Sequence, residues 1–284
     1  NLDDLIEEEQ DVIDKLRNLA EYQMLYSRIN FLYRSGGFSK NEKERTMVDE
    51  IANHPLIKGK DTALSSRAAT ICYYIQGLCA ATNRDYQTSF FKFLRVKMIL
   101  DNNPLLKRDL AKRYVRTLKN LLYCYIDNNE LDKATESIQM MRSLPSEKGF
   151  ESIDVNVKIF TSSYIAELMI CDRKGTYDKS LEIADEIIEG IESYSQKINK
   201  EQQIVFFYNL TYVYFGAGRY NDALKWVNKL LNDNEQTLRQ DIYNFARLFN
   251  LIIHFELENF DLLEYVIKST SRYLKKQKKD YQAE

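Results

Sequence analysis

The sequence predicts an all-α protein of stacked antiparallel helical hairpins, an α-solenoid. Three observations carry this. First, a short phrase recurs five times, as Asn83-Arg84-Asp85-Tyr86, Asn129-Glu130-Leu131-Asp132, Gly175-Thr176-Tyr177-Asp178, Gly218-Arg219-Tyr220-Asn221 and Glu258-Asn259-Phe260-Asp261. Its large apolar residue falls at 86, 131, 177, 220 and 260, at intervals of 45, 46, 43 and 40, and self-similarity at such a period marks a repeat architecture. Second, the stretches between the phrases place apolar residues at helical spacing, with no competing strand alternation. Third, only 9 Gly and 3 Pro interrupt a chain that is 44% apolar. That suffices for a core and has too few breakers for an all-β protein.

Taken in order, the first segment has apolar residues at 2, 5, 6, 12, 13, 16, 19, 20, 24 and 25, a helical pattern that Ser35-Gly36-Gly37 ends. A second helix is expected over 40–52. It stops at His54-Pro55, because a residue before Pro disfavours the α region. These two make an irregular N-terminal hairpin or cap over 1–61. Residues 62–284 then hold five regular hairpins, continuous with the cap as one solenoid. Their first helices are expected over 62–83, 107–127, 151–173, 199–216 and 236–257. Their second helices are expected over 85–101, 130–143, 177–197, 220–232 and 260–279. Pro104 and Pro145 mark where the chain leaves two second helices.

Residues 207–231 carry Phe207, Leu210, Tyr214, Gly218, Tyr220, Ala223, Val227 and Leu230. This pattern resembles a tetratricopeptide repeat, in a long-repeat bacterial form. Residues 118–145 repeat it with Leu118, Leu121, Tyr125, Leu131, Ala134, Ile138, Met141 and Pro145, and weaker copies lie over 73–96 and 164–187. The resemblance implies that Ala134 and Ala223 pack where paired helices cross. The chain departs from the family in its period, since the family repeat has about 34 residues. Gln76 and Glu167 stand where a packed Leu belongs; Gly77 and Leu168 follow them, which shifts the buried stripe by one residue. Leu263 stands where Ala or Ser belongs. Longer repeats of this kind are also similar to bacterial peptide-sensing regulators, although nothing here matches their DNA-binding domain.

Composition narrows the function. The formal net charge is −2, and nucleic-acid binders usually carry a basic excess. The run Lys275, Lys276, Lys278 and Lys279 reads as a solvated helix end, and Glu7-Glu8-Glu9 as a solvated helix face. Cys72, Cys79, Cys124 and Cys171 form no C-x-x-C pair and sit in apolar helical stretches. They read as buried, reduced thiols of a cytoplasmic protein. No run of 18 apolar residues is present, so no membrane span is expected. A start at Asn1 rather than Met is expected of a segment of a longer protein. His54 and His254 are the only His; His54 precedes Pro55 in a helix-ending turn, and His254 reads as a hydrogen-bonded packing residue. With no nucleotide-binding, metalloprotease or nucleophile-elbow motif, no enzyme activity, cofactor or metal is expected.

Binding is the expected function, to a protein or peptide partner. Three first helices share Asn-Leu-x-x-x-aromatic: Asn120-Leu121 with Tyr125, Asn209-Leu210 with Tyr214, and Asn250-Leu251 with Phe255. If the Leu packs, the Asn is turned about 100° away. By the resemblance it faces a concave groove, where its amide can pair with a peptide backbone. The expected binding residues are Tyr74, Arg116, Lys119, Asn120, Tyr123, Met169, Tyr208, Asn209, Tyr212 and Asn250, with Leu78, Ile165 and Ile253 beside them. The family's carboxylate clamp is incomplete here. Asn120 and Lys119 match it, but Tyr74, Leu78, Ser162 and Ala166 do not. Two other readings stay open: a structural or self-associating solenoid, including a homo-oligomer, and a regulatory enzyme such as a phosphatase of the peptide-sensing type.

Overall fold

The structure, a computed structural model, describes residues 2–34, 41–59, 61–232 and 239–277. It is 85% helical, with fourteen α-helices and no strand among the described residues. The chain divides into two compact units, Asn1–Asn156 and Val157–Glu284. The first holds α1 (Leu2–Arg34), α2 (Glu42–Ala52), α3 (Pro55–Lys58), α4 (Ser66–Thr82), α5 (Tyr86–Asp101), α6 (Pro104–Asp109), α7 (Ala111–Asp127), α8 (Leu131–Ser143) and the first residues of α9 (Ile153–Lys174). The second holds the rest of α9, then α10 (Tyr177–Tyr194), α11 (Lys200–Gly216), α12 (Tyr220–Leu231), α13 (Gln240–Glu256) and α14 (Phe260–Gln277).

The recurring phrase is one turn built five times. Arg84, Asn129, Gly175, Gly218 and Glu258 are all left-handed, with φ of 61°, 60°, 65°, 72° and 56°. The next residue's N–H reaches back to the carbonyl five residues earlier: Asp85 to Ala80, Glu130 to Tyr125, Thr176 to Cys171, Arg219 to Tyr214 and Asn259 to His254, at 2.8–3.0 Å. The left-handed residue itself donates three residues back, as Gly218 does to Phe215 at 2.9 Å. This pair of bonds is the Schellman arrangement, which satisfies the carbonyls a helix end leaves open. The same local rule therefore ends the first helix at each of these five turns.

Small residues let the paired helices touch. Ala134 and Ala223 are fully buried, and Ser89 and Ser180 nearly so. Ser89 donates its hydroxyl to the Gly77 carbonyl at 3.0 Å, across the contact of α4 with α5. Gly77 and Leu168 are buried, whereas Gln76 and Glu167 are half-buried. The stripe thus shifts by one residue in these two helices. Gln76 donates to the Ile57 carbonyl at 2.7 Å instead of filling the core. In the second unit the core gathers Phe206, Phe207, Leu210, Trp226, Val227 and Tyr243. Leu263, in place of a small residue, is half-buried.

Several expected elements differ. The helix expected over 107–127 is two helices, α6 and α7, separated at Leu110, whose ψ of 29° leaves the helical path. Pro104 opens α6 rather than merely ending α5, a position where its missing N–H has no partner to lose. Likewise Pro55 opens the short α3, capped by His54, whose Nδ1 accepts from the Leu56 N–H at 3.3 Å. The glycine pair after α1 and Lys278 and Lys279 of the basic run lie outside the described residues. In α1 only the second half packs. Tyr22 and Ile29 are fully buried, but Leu2, Leu5, Ile6, Val12 and Leu16 are exposed. Asn18 ties α1 down, donating to the Thr62 carbonyl at 3.0 Å and accepting from the Leu64 N–H at 3.1 Å.

Candidate functional site

Most of the residues expected at a binding face gather around two clefts, one in each unit. The first unit's cleft has a volume of about 430 Å³ and is lined by Tyr26 of α1, Tyr74 of α4, and Arg113 and Arg116 of α7, with the Arg108–Lys112 bend on one side. Residues 113 and 116 are one turn apart, so both side chains leave the same helix face. Arg113 Nη1 donates to Thr70 Oγ1 at 2.9 Å, and Arg116 Nη1 donates to the Tyr26 hydroxyl at 2.7 Å. Asn120, one turn further along, donates to the Tyr74 hydroxyl at 3.1 Å. The Tyr26 and Tyr74 rings meet edge to face at 5.9 Å.

Burial sets the electrostatics of this cleft. Tyr74 is 5% exposed, and burial holds its phenol well above the ordinary range. Burial also lowers the Arg113 guanidinium below its ordinary value, and the nearby Arg67 and Arg116 charges add to this. Nearby carboxylates engage other cations: Asp109 pairs with Arg67 at 2.9 Å, Asp154 with Lys112 at 2.7 Å, and Glu147 with Lys107 at 3.0 Å.

The second cleft, of about 330 Å³, is lined by Met169 and Asp172 of α9, Tyr177 of α10, and Tyr208, Asn209 and Tyr212 of α11. Asn209 Nδ2 donates to the Val205 carbonyl of its own helix at 2.8 Å, and its Oδ1 has no partner among the described residues. Burial, then the Asp172 carboxylate, raises the Tyr208 and Tyr212 phenols. Tyr212 is nevertheless 40% exposed. Its ring leans on Phe249 at 6.0 Å, which fixes the wall of the cleft.

Other expected residues fall elsewhere. Leu78 and Ile253 are buried core residues, not groove residues, because the helices beside them close over these positions. Ile165 is half-buried against the second unit's core. Asn250 is also buried, at 8% exposure, while Leu251 is only half-buried. The packed face of α13 therefore takes the Asn, the reverse of the expected facing. Asn120, at 7% exposure, spends its donor on Tyr74. Lys119 and Tyr123 are half-buried, with the Lys119 ammonium 5.4 Å from the Tyr123 ring. His254 is buried with Nδ1 3.3 Å from the Asn259 amide, as a packing residue would be. Four residues were not foreseen: Tyr26, Thr70, Arg113 and Asp172. The i,i+3 spacing of Arg113 and Arg116 was readable, but their partners lie 43 and 90 residues away.

No group of His, Cys, Asp and Glu among the described residues could hold a metal ion, and none of the described helices is long and apolar enough to cross a membrane. Comparison with protein-family models returns no match, and comparison with curated proteins returns none either.

Proposed function

We propose that this chain is a binding module for an extended protein or peptide segment, a solenoid of tetratricopeptide-type hairpins rather than an enzyme. The observation that supports this most is the convergence of Met169, Tyr208, Asn209 and Tyr212 in one cleft. Such a cleft offers aromatic and thioether surface, which favours burial of apolar side chains. Beside it stands one unengaged amide acceptor, which can take a backbone N–H from an extended segment. Its Tyr208 and Tyr212 phenols remain protonated at neutral pH, so they present donors and not charge.

The test is selection of binders from a displayed random-peptide library against the folded chain, followed by calorimetric titration of the selected peptide. Asn209→Ala and Tyr212→Ala together should weaken binding by about tenfold to a hundredfold, as loss of one hydrogen bond and one aromatic contact would. Failure to select any peptide, or equal affinity of the folded double variant, would overturn the assignment to this cleft.

A second reading is self-association. Phe245 and Phe255 of α13 and Tyr265 of α14 are at least 59% exposed, more large apolar surface than scattered solvent-facing residues require. Sedimentation over a range of concentrations distinguishes this from a monomeric receptor.

A further inference from the structure

We infer that the first unit's cleft is a receptor for an oxyanion, a carboxylate or a phosphate carried on the bound segment, held by Arg113 and Arg116. This deepens the binding role proposed above by naming the partner's chemistry. It rests on a different cleft, so either assignment can fail without the other.

Two half-buried guanidiniums stand one helical turn apart on α7 with no carboxylate partner among the described residues. Each meets only a neutral hydroxyl. Those hydroxyls are turned to receive: Thr70 donates its own hydrogen to the Arg67 carbonyl at 2.8 Å, and Tyr26 donates to Asn30 Oδ1 at 3.3 Å. Their oxygens are thereby left to accept from the guanidiniums, which orients both forks. One N–H of each Arg is engaged in this way. A guanidinium carries five, so most of the fork remains for a ligand. Asp109, the one carboxylate lining the cleft among the described residues, is held by Arg67. Like charges at this spacing repel, and partial burial strengthens the repulsion by excluding water. An incoming oxyanion relieves both costs, and the planar fork matches carboxylate and phosphate geometry alike. The Tyr26 and Tyr74 rings supply walls on which the rest of a peptide residue can lie.

The experiment is a titration of the full chain, followed through the arginine Nε–Hε resonances by nuclear magnetic resonance. The two resonances are assigned with Arg113→Lys and Arg116→Gln. The probes are N-acetyl-glutamate N-methylamide, O-phosphoserine blocked in the same way, and the N-acetyl-glutamine analogue as neutral isostere. At least one anion should shift both resonances saturably below about 10 mM, with an affinity that falls as salt rises. The glutamine analogue should shift neither, and folded Arg116→Gln should bind the anion at least about tenfold more weakly. Tighter binding of the glutamate probe assigns the site to acidic side chains, and tighter binding of phosphoserine assigns it to a phosphorylated segment. Absence of a saturable shift with both anions, or equal shifts with the glutamine analogue, overturns the proposal.

Discussion

The Asn120 amide donates to the Tyr74 hydroxyl at 3.1 Å, joining α7 to α4 across 46 residues of sequence. Both side chains are buried, at 7% and 5% exposure. Tyr74→Phe removes the acceptor and leaves a buried donor without a partner, at a cost of about 1–3 kcal/mol. Asn120→Leu in the same background should recover part of that loss, because no unpaired polar group remains. Urea denaturation of the two single variants and the double variant measures the coupling. A simple sum of the single effects would show that the bond contributes nothing.

Gly77 faces the buried Phe93 ring so closely that a Cβ added there would lie 2.8 Å from Cε1. Gly77→Ala gains up to about 1 kcal/mol of helix propensity, but it must displace a ring that also packs on Tyr74 at 5.2 Å. Overpacking of this kind costs about 1–3 kcal/mol, so the net effect is expected to be destabilising. The denaturation midpoint of the variant checks the sign.

Glu258 holds a left-handed conformation with a side chain present. An L-residue incurs about 1–2 kcal/mol there, and Gly does not. Glu258→Gly should therefore stabilise the chain by about 0.5–1 kcal/mol, the remainder being offset by the greater freedom of Gly in the unfolded chain. Gly218→Ala, at φ 72°, should destabilise by a similar amount. Equal and opposite shifts in urea midpoint are the expected outcome.

Burial pushes the Cys79 thiol up to about 12 and the Cys124 thiol up to about 11, with the Asp49 and Asp127 charges adding to the respective shifts. In the unfolded chain these thiols ionise near about 8.5. Between those values the native state keeps protons that the unfolded state has released. Stability is thus fully expressed below about pH 8.5 and falls as pH rises towards 11–12. Chemical denaturation at a series of pH values should show this decline, and Cys79→Ala with Cys124→Ala should reduce its slope. All four thiols are buried, so native labelling should be slow throughout the neutral range.

Much of the architecture was legible because it is local. The five turns follow from the recurring phrase and from apolar spacing on either side of it, and both lie within a few positions of each other. Ala134 and Ala223 were identifiable as crossing residues through the resemblance to a tetratricopeptide repeat, and both are fully buried. The α6–α7 break at Leu110 and the short α3 were not, because neither follows from periodicity: Pro55 and Pro104 begin helices here, although Pro equally well marks where helices end.

The sequence by itself determined that this chain is helical, where it reverses, and which residues sit at most of the crossings. Each of these depends on backbone preference and on side chains three or four positions apart. Only the tertiary structure decided that Asn120 and Asn250 turn inward and that, among the described residues, the Asn209 oxygen has no partner while Arg113 and Arg116 meet hydroxyls instead of carboxylates. Those outcomes depend on rotations of helices about their axes. Shifting the packed stripe by a single residue, as at Gly77 and Leu168, turns a side chain by about 100° and exchanges a solvent-facing position for a buried one. For Arg113, Asn120 and Arg116 the partner lies 43, 46 and 90 residues away, and is fixed by how the helices pack rather than by any local pattern.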